Sequence, residues 1–122
     1  MPGLNKIQLI GNMGRDQETK SVGRDGKPVT TFTVAVNRRW KSNDGETNEA
    51  TDWFNVEAWA GLANTVAQYG RKGRLVYVEG RLQTDRYEDS HGQTRYYTKV
   101  VANNIQFLDR QQSSGDDGPD DE

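Results

Sequence analysis

Four aromatic residues of this 122-residue chain lie close in sequence to one another or to basic residues. Trp40 stands within the run Arg38-Arg39-Trp40-Lys41, and Tyr87 directly follows Arg86. An aromatic ring offers a flat face on which a nucleic-acid base stacks, and a nearby cation neutralises a backbone phosphate. This combination predicts a binding site for single-stranded nucleic acid. The candidate residues are Trp40, Trp53, Trp59, Tyr87, Arg38, Lys41, Lys72 and Arg86.

Each ring also has a purely structural explanation, because large amphipathic rings commonly pack at the edges of a core. Trp40 can cover the end of a barrel, Trp53 and Trp59 can pack on the outer face of a strand, and Tyr87 can pair across a hairpin. Packing is the simpler interpretation of any one ring taken alone. The combination of several rings with several cations favours binding.

Catalytic chemistry has little support in the sequence. His91 is the only histidine and there is no cysteine, so no second ligand of either type can join it at a metal. Four acidic residues occur close together, but they lie in a polar stretch without the apolar pocket that raises the pKa of a catalytic acid. These acids are Asp44, Glu46, Glu49 and Asp52. We predict no catalytic residue, metal, cofactor or small-molecule substrate.

The stretch Thr51–Ala60 is the predicted strand that carries two of the rings. Side chains alternate between the two faces of a strand. The face expected to be core-like carries Phe54, Val56, Ala58 and Ala60, and the opposite face carries Trp53, Asn55, Glu57 and Trp59. The second face joins two tryptophans to polar side chains, which is typical of a surface that a flat ligand covers.

The remaining elements follow from the periodicity of apolar residues. Period-two patterns predict strands over residues 5–13, 28–40, 75–84 and 98–108, with a hairpin tip at residues 90–93. The helical spacing of Leu62, Val66 and Tyr69 predicts a helix over residues 61–69, whereas residues 14–27 and 42–50 are polar and are expected to be turns and loop. The order predicts an all-β fold, a five-stranded Greek-key barrel of the OB-fold type with one short helix between strands 3 and 4.

Charge divides the chain into two parts. The formal net charge is −2, but five acidic residues fall in the last seven positions, so residues 1–115 carry 16 basic and 13 acidic side chains. We predict an OB-fold nucleic-acid-binding domain at residues 1–110 and a short disordered acidic tail at residues 111–122. No apolar run has the length of a signal segment or membrane span, so we expect a cytoplasmic protein without a membrane partner.

Four motifs resemble the bacterial single-stranded DNA-binding protein family. They are N-K-I-Q-L-I-G-N-M-G-R-D at residues 5–16, T-F-T-V-A-V-N-R-R-W at 31–40, T-D-W-F-N-V-E-A-W at 51–59 and Y-G-R-K-G-R-L-V-Y-V-E-G-R-L-Q-T at 69–84. The resemblance covers about residues 3–108. It implies a nucleoid-associated homotetramer that coats single-stranded DNA during replication, recombination and repair. It also implies stacking at the four rings and adds Lys6 to the basic positions near the DNA.

The resemblance implies replication and repair proteins as further partners, which in the family dock on a terminal Pro-Phe tip. This sequence ends in Asp-Asp-Glu instead. The alternative function is an accessory OB-fold subunit that holds partner proteins and binds DNA weakly. A small hydrolase that uses the loop carboxylates is a third interpretation, and it requires a pocket that the sequence does not indicate.

Overall fold

The structure, a computed structural model, describes residues 3–14, 18–22 and 26–109 of the chain. The predicted acidic tail at residues 111–122 lies outside the described residues. The elements are β1 (Ile7–Met13), β2 (Glu18–Val22), β3 (Lys27–Lys41), β4 (Thr47–Trp59), α1 (Ala60–Tyr69), β5 (Leu75–Glu88) and β6 (Thr94–Phe107).

Five of these strands form a closed barrel. They pair in the order β1-β5-β6-β4-β3, and β3 returns to pair with β1 through Asn12 with Ala35 and Met13 with Val34. The one described helix lies between β4 and β5. The predicted five-stranded OB-fold barrel with one helix is therefore confirmed.

The barrel interior is filled by alternate residues of the strands. Phe32 and Val34 of β3, Val56 of β4 and Val76 and Val78 of β5 are all buried, as period-two alternation predicts. Gly80 sits at an irregularity in the β5–β6 ladder, where a Cβ atom would lie 2.1 Å from the Val101 carbonyl oxygen. Only glycine allows the two backbones to approach so closely.

Helix α1 packs against β3 and β4. Its buried residues are Ala63 and Val66, and the hydroxyl of the fully buried Thr30 donates a hydrogen bond to the Ala63 carbonyl at 2.9 Å. The helix ends at Gly70, whose N–H donates to the Val66 carbonyl. No helix in the part of the chain that the structure describes combines the length and apolar character that a membrane crossing needs.

Three predicted boundaries are wrong. Residues 14–27, expected to be turns, contain β2, and residues 42–50, expected to be loop, contain the start of β4 at Thr47. Both segments are polar and lack apolar periodicity, but each pairs with the long strand β3 through backbone hydrogen bonds that need no apolar side chain. Ala60, expected on the core face of a strand, is exposed and begins α1 with φ of 55°.

Two strand pairs extend as two-stranded ribbons. In the β3–β4 ribbon, residues 37–41 pair with residues 47–51. In the β5–β6 arm, residues 81–88 pair with residues 94–101, so β5 and β6 extend past the predicted strand ends at residues 84 and 98 towards the predicted hairpin tip. The Asp89 carboxylate accepts hydrogen bonds from the backbone N–H groups of His91 and Gln93 and closes the turn of the arm.

Candidate nucleic-acid interface

The outer face of β4 carries two exposed tryptophan rings. Trp53 is 61% exposed and Trp59 is 38% exposed, whereas Val56 and Ala58 on the opposite face are buried. The β3 residues that pair with the outer face of β4 between the two rings are short, namely Ala35, Thr33 and Thr31. Because paired side chains point to the same side of a sheet, the two indoles stand higher than these neighbours. The predicted orientation of Trp53 and Trp59 is confirmed.

Gly14 provides the surface on which the Trp53 ring lies. A Cβ atom at Gly14 would be 2.3 Å from Cζ3 of Trp53 and 2.5 Å from Oγ1 of Thr33. The Gly14 N–H donates to the Thr33 carbonyl at 2.9 Å, which holds the end of β1 under the ring. A residue with a Cβ atom at this position would push the indole outward. The ring therefore has a fixed support and a large exposed area available for stacking.

The Trp59 ring is held by a polar contact. Its indole N–H donates to Oε1 of Glu57 at 2.9 Å. The second oxygen of that carboxylate, Oε2, accepts a hydrogen bond from Nζ of Lys99 at 2.9 Å, and Lys99 also pairs with Asp85 at 3.0 Å. These contacts tie the ring on β4 to β6 and β5.

The β5–β6 arm carries Tyr87, whose ring is exposed. Alternation places Tyr87 on the same face of β5 as Asp85, and therefore on the side of the Lys99 contacts. Arg86 is exposed on the opposite face of the arm, where it pairs with Tyr96 of β6. The two adjacent candidates Arg86 and Tyr87 thus lie on opposite faces of the arm, and only Tyr87 is on the side of the Lys99 contacts.

Trp40, Arg38 and Lys41 lie in the β3–β4 ribbon and are exposed. The Arg38 guanidinium lies 5.0 Å from the centre of the Trp40 ring and forms an ion pair with Asp52 at 2.9 Å. The register separates Trp40 from Trp53, because Trp53 pairs with Ala35 and alternation then places Trp40 on the other side of β3. Trp40 therefore does not share the outer face of β4 with Trp53 and Trp59.

The two remaining basic candidates differ in their distance from the tryptophans. Lys72 is exposed in the turn between α1 and β5, and the next residue, Gly73, donates its N–H to the Met13 carbonyl beside Gly14. This contact brings the turn close to Trp53. Lys6 lies on the outer side of β1 and pairs with Glu79 of β5 at 3.3 Å, so the structure does not bring it to β4. A hydrogen bond from the Tyr77 hydroxyl, together with Lys6, lowers the pKa of Glu79.

Sequence reasoning placed Glu57 on the outer face of β4 but missed Gly14 and Lys99 as parts of this surface. Nothing in the local sequence marks them, because Gly14 meets Trp53 and Lys99 meets Glu57 only through pairing between distant strands.

Among the described residues, no group of three His, Asp or Glu side chains is arranged to hold a metal ion. The four acids considered for catalysis lie on the exposed β3–β4 ribbon or its turn, where Asp52 and Glu49 pair with Arg38 and Arg39.

The chain is similar to known proteins over most of its length. A model described as the single-strand binding protein family matches residues 4–108. The chain is 40% identical over 114 residues to "Single-stranded DNA-binding protein 1" of Chlorobaculum tepidum, covering 93% of this chain and 70% of that protein. It is 44% identical over 117 residues to "Single-stranded DNA-binding protein" of Clostridium tetani, covering 94% and 79%.

One solved structure extends this similarity to three dimensions. It is described as "Plasmodium falciparum SSB complex with ssDNA". The two folds superpose with a TM-score of 0.83 at 32% sequence identity, covering 89% of this chain and 98% of the other.

Proposed function

The chain belongs to the single-strand binding protein family, and on this basis we propose that it binds single-stranded DNA irrespective of base sequence. It coats and protects the strand during replication, recombination and repair. The relatives named for this binding match more than nine-tenths of the chain. The fold superposes on an SSB described in complex with single-stranded DNA.

One observation carries the proposal, namely the exposed outer face of β4. Trp53 and Trp59 stand on that face above short β3 side chains. Every base has a π-face, so stacking on such rings tolerates any sequence. Tyr87 on the β5–β6 arm adds a further ring, and Trp40 offers a separate ring on the other side of β3, in the β3–β4 ribbon.

Basic side chains supply the second part of the binding energy. Lys72 lies in the turn beside the Trp53 platform, Lys41 is at the end of the β3–β4 ribbon, and Arg86 is on the arm. Phosphates are common to all nucleotides, so these contacts add affinity without sequence preference. We expect Arg38 to contribute less, because a phosphate would compete with Asp52 for its guanidinium.

Fluorescence titration with oligo-dT tests this function. All three tryptophans of the chain are candidate stacking residues, so we expect strong quenching of the intrinsic fluorescence by the single strand and little by a duplex of equal length. Absence of quenching, together with absence of an anisotropy change for a labelled oligomer, contradicts the proposal and favours an accessory protein-binding subunit. If the protein shortens the oligomer during the titration, the prediction that it has no catalytic residue is contradicted.

Self-association forms part of the proposed function. Ile10 is 55% exposed on the outer side of β1, opposite Tyr77 of β5, whereas its neighbour Leu9 is buried. The exposed isoleucine and the tyrosine opposite it together offer apolar surface that another copy can cover. We expect a cytoplasmic homotetramer with the β1 surfaces between protomers and residues 1–110 as the binding unit.

A further inference from the structure

A chain of polar contacts joins β4 to the β5–β6 arm. It starts at the Trp59 indole, which donates to Glu57, and passes through Lys99 to Asp85. It continues on the arm, where Nε2 of Gln83 donates to Oδ1 of Asp85 at 3.0 Å. The chain of contacts starts at one proposed stacking ring, Trp59, and it reaches Asp85, which lies on the same face of β5 as a second ring, Tyr87.

The centre of this chain is shielded from solvent. The Lys99 side chain is 14% exposed and that of Glu57 is 17% exposed. Burial lowers the pKa of Lys99, but the hydrogen bonds and charges of Glu57 and Asp85 outweigh it, so the net shift is upward. Lys99 therefore stays charged. One ammonium group faces two carboxylates, which leaves it a poor ligand for phosphate.

The backbone alone holds the arm weakly against β4. Within the described residues, β4 and β6 pair in parallel at two positions only, Val56 with Val100 and Glu57 with Val101. Beyond this short ladder the arm is a two-stranded ribbon with mostly exposed side chains. A two-stranded ribbon without further packing is marginally stable at best in water. Side-chain contacts at the seam therefore add to the hold that the two ladder positions give the arm.

We propose that Lys99 is a positioning residue of the DNA-binding surface, which sets the Trp59 and Tyr87 rings relative to each other by holding Glu57 and Asp85 together. The proposal rests on the proposed function for its effect on DNA. Lys99 itself contacts no base or phosphate. Its role is to keep two stacking platforms in the geometry that a single strand bridges, which reduces the ordering cost of binding.

Substitution of two acidic residues on β5 distinguishes a positioning role of Lys99 from a general effect of surface charge on DNA binding. Asp85 belongs to the bridge, whereas Glu88 is exposed on the opposite face of the arm, outside it. Removing either acid makes the surface more positive, which by charge alone tightens DNA binding. We expect Glu88→Ala to bind oligo-dT slightly more tightly than the parent. We expect Asp85→Ala to bind about three- to tenfold more weakly, a smaller loss than that of a whole ring.

Substitutions of Lys99 test the same bridge from its centre. Lys99→Met should weaken binding at least as much as Asp85→Ala, and Lys99→Arg should restore it, because a guanidinium also pairs with two carboxylates. In a background of Trp40→Phe and Trp53→Phe, Trp59 is the only tryptophan. Acrylamide quenching of its fluorescence in the free protein should rise in Lys99→Met and stay unchanged in Glu88→Ala.

The outcomes distinguish the two proposals. Tighter binding by Asp85→Ala, matching Glu88→Ala, would overturn the positioning role of Lys99 even if Lys99→Met fails to fold. Unchanged quenching of Trp59 in a folded Lys99→Met variant also overturns it. Failure of the parent protein to bind oligo-dT overturns the proposed function instead, and the quenching of Trp59 then still reports on the bridge in the free protein.

Discussion

Replacement of Trp53 by alanine should separate stacking from electrostatics. The ring is 61% exposed and rests on Gly14, so it offers a platform for about one base. Stacking on an aromatic side chain is worth roughly 1–3 kcal/mol per base. Because about 1.4 kcal/mol corresponds to a tenfold change, we expect Trp53→Ala to weaken oligo-dT binding by about 5- to 140-fold.

The salt dependence of binding gives the second half of this prediction. Trp53 carries no charge, so the slope of log affinity against log salt concentration should not change in Trp53→Ala. Each phosphate neutralised on a single strand contributes about 0.7 to that slope. Arg86→Ala should therefore lower the slope by about 0.7 or less, with a small loss of affinity at high salt.

The assay is anisotropy of labelled oligo-dT at several salt concentrations, with circular dichroism to establish that each variant is folded. Tyr69→Ala is a matched control, because Tyr69 is an exposed ring at the end of α1 and is not one of the proposed stacking residues. It should bind like the parent. A folded Trp53→Ala variant that also binds like the parent would show that the ring only packs on Gly14, and the stacking argument would be refuted.

Three further variants test the support of the site, the barrel and the assembly. Gly14→Ala should displace the Trp53 ring, since its Cβ atom would lie 2.3 Å from Cζ3, and weaken oligo-dT binding with little change in circular dichroism; parent-like affinity contradicts this role. Thr30→Val should lower the free energy of unfolding in urea by roughly 1–3 kcal/mol, because the hydrogen bond to the Ala63 carbonyl is lost in a buried site. Ile10→Lys should dissociate the proposed tetramer in light scattering without unfolding the barrel, and a stable monomer in the parent would already contradict the assembly.

Much of the barrel follows from side-chain alternation. Phe32 and Val34 in β3 and Val56 and Ala58 in β4 are spaced two residues apart, and a strand with that spacing buries one face. Alternation also suffices to place Arg86 and Tyr87 on opposite faces of a strand. β2 could not be found in this way. Its residues are mostly polar, and its pairing with β3 depends on backbone groups that the sequence pattern does not reveal.

The sequence by itself determined the kinds of side chain that the proposed DNA-binding surface uses. Three tryptophans, five tyrosines and a basic excess in residues 1–115 are properties of composition and order. Local spacing was enough to put Trp53 and Trp59 on one face of a strand, because the two-residue period is a property of the extended backbone.

Only the tertiary structure decided how those rings are supported and oriented. Gly14 reaches Trp53 because β1 and β4 both pair with β3. Lys99 reaches Glu57 across 42 residues because β4 and β6 are neighbours in the barrel. Such contacts depend on the register of strands that are distant in the chain. No local period encodes that register, since it is set when the closed sheet buries the apolar face of every strand at once.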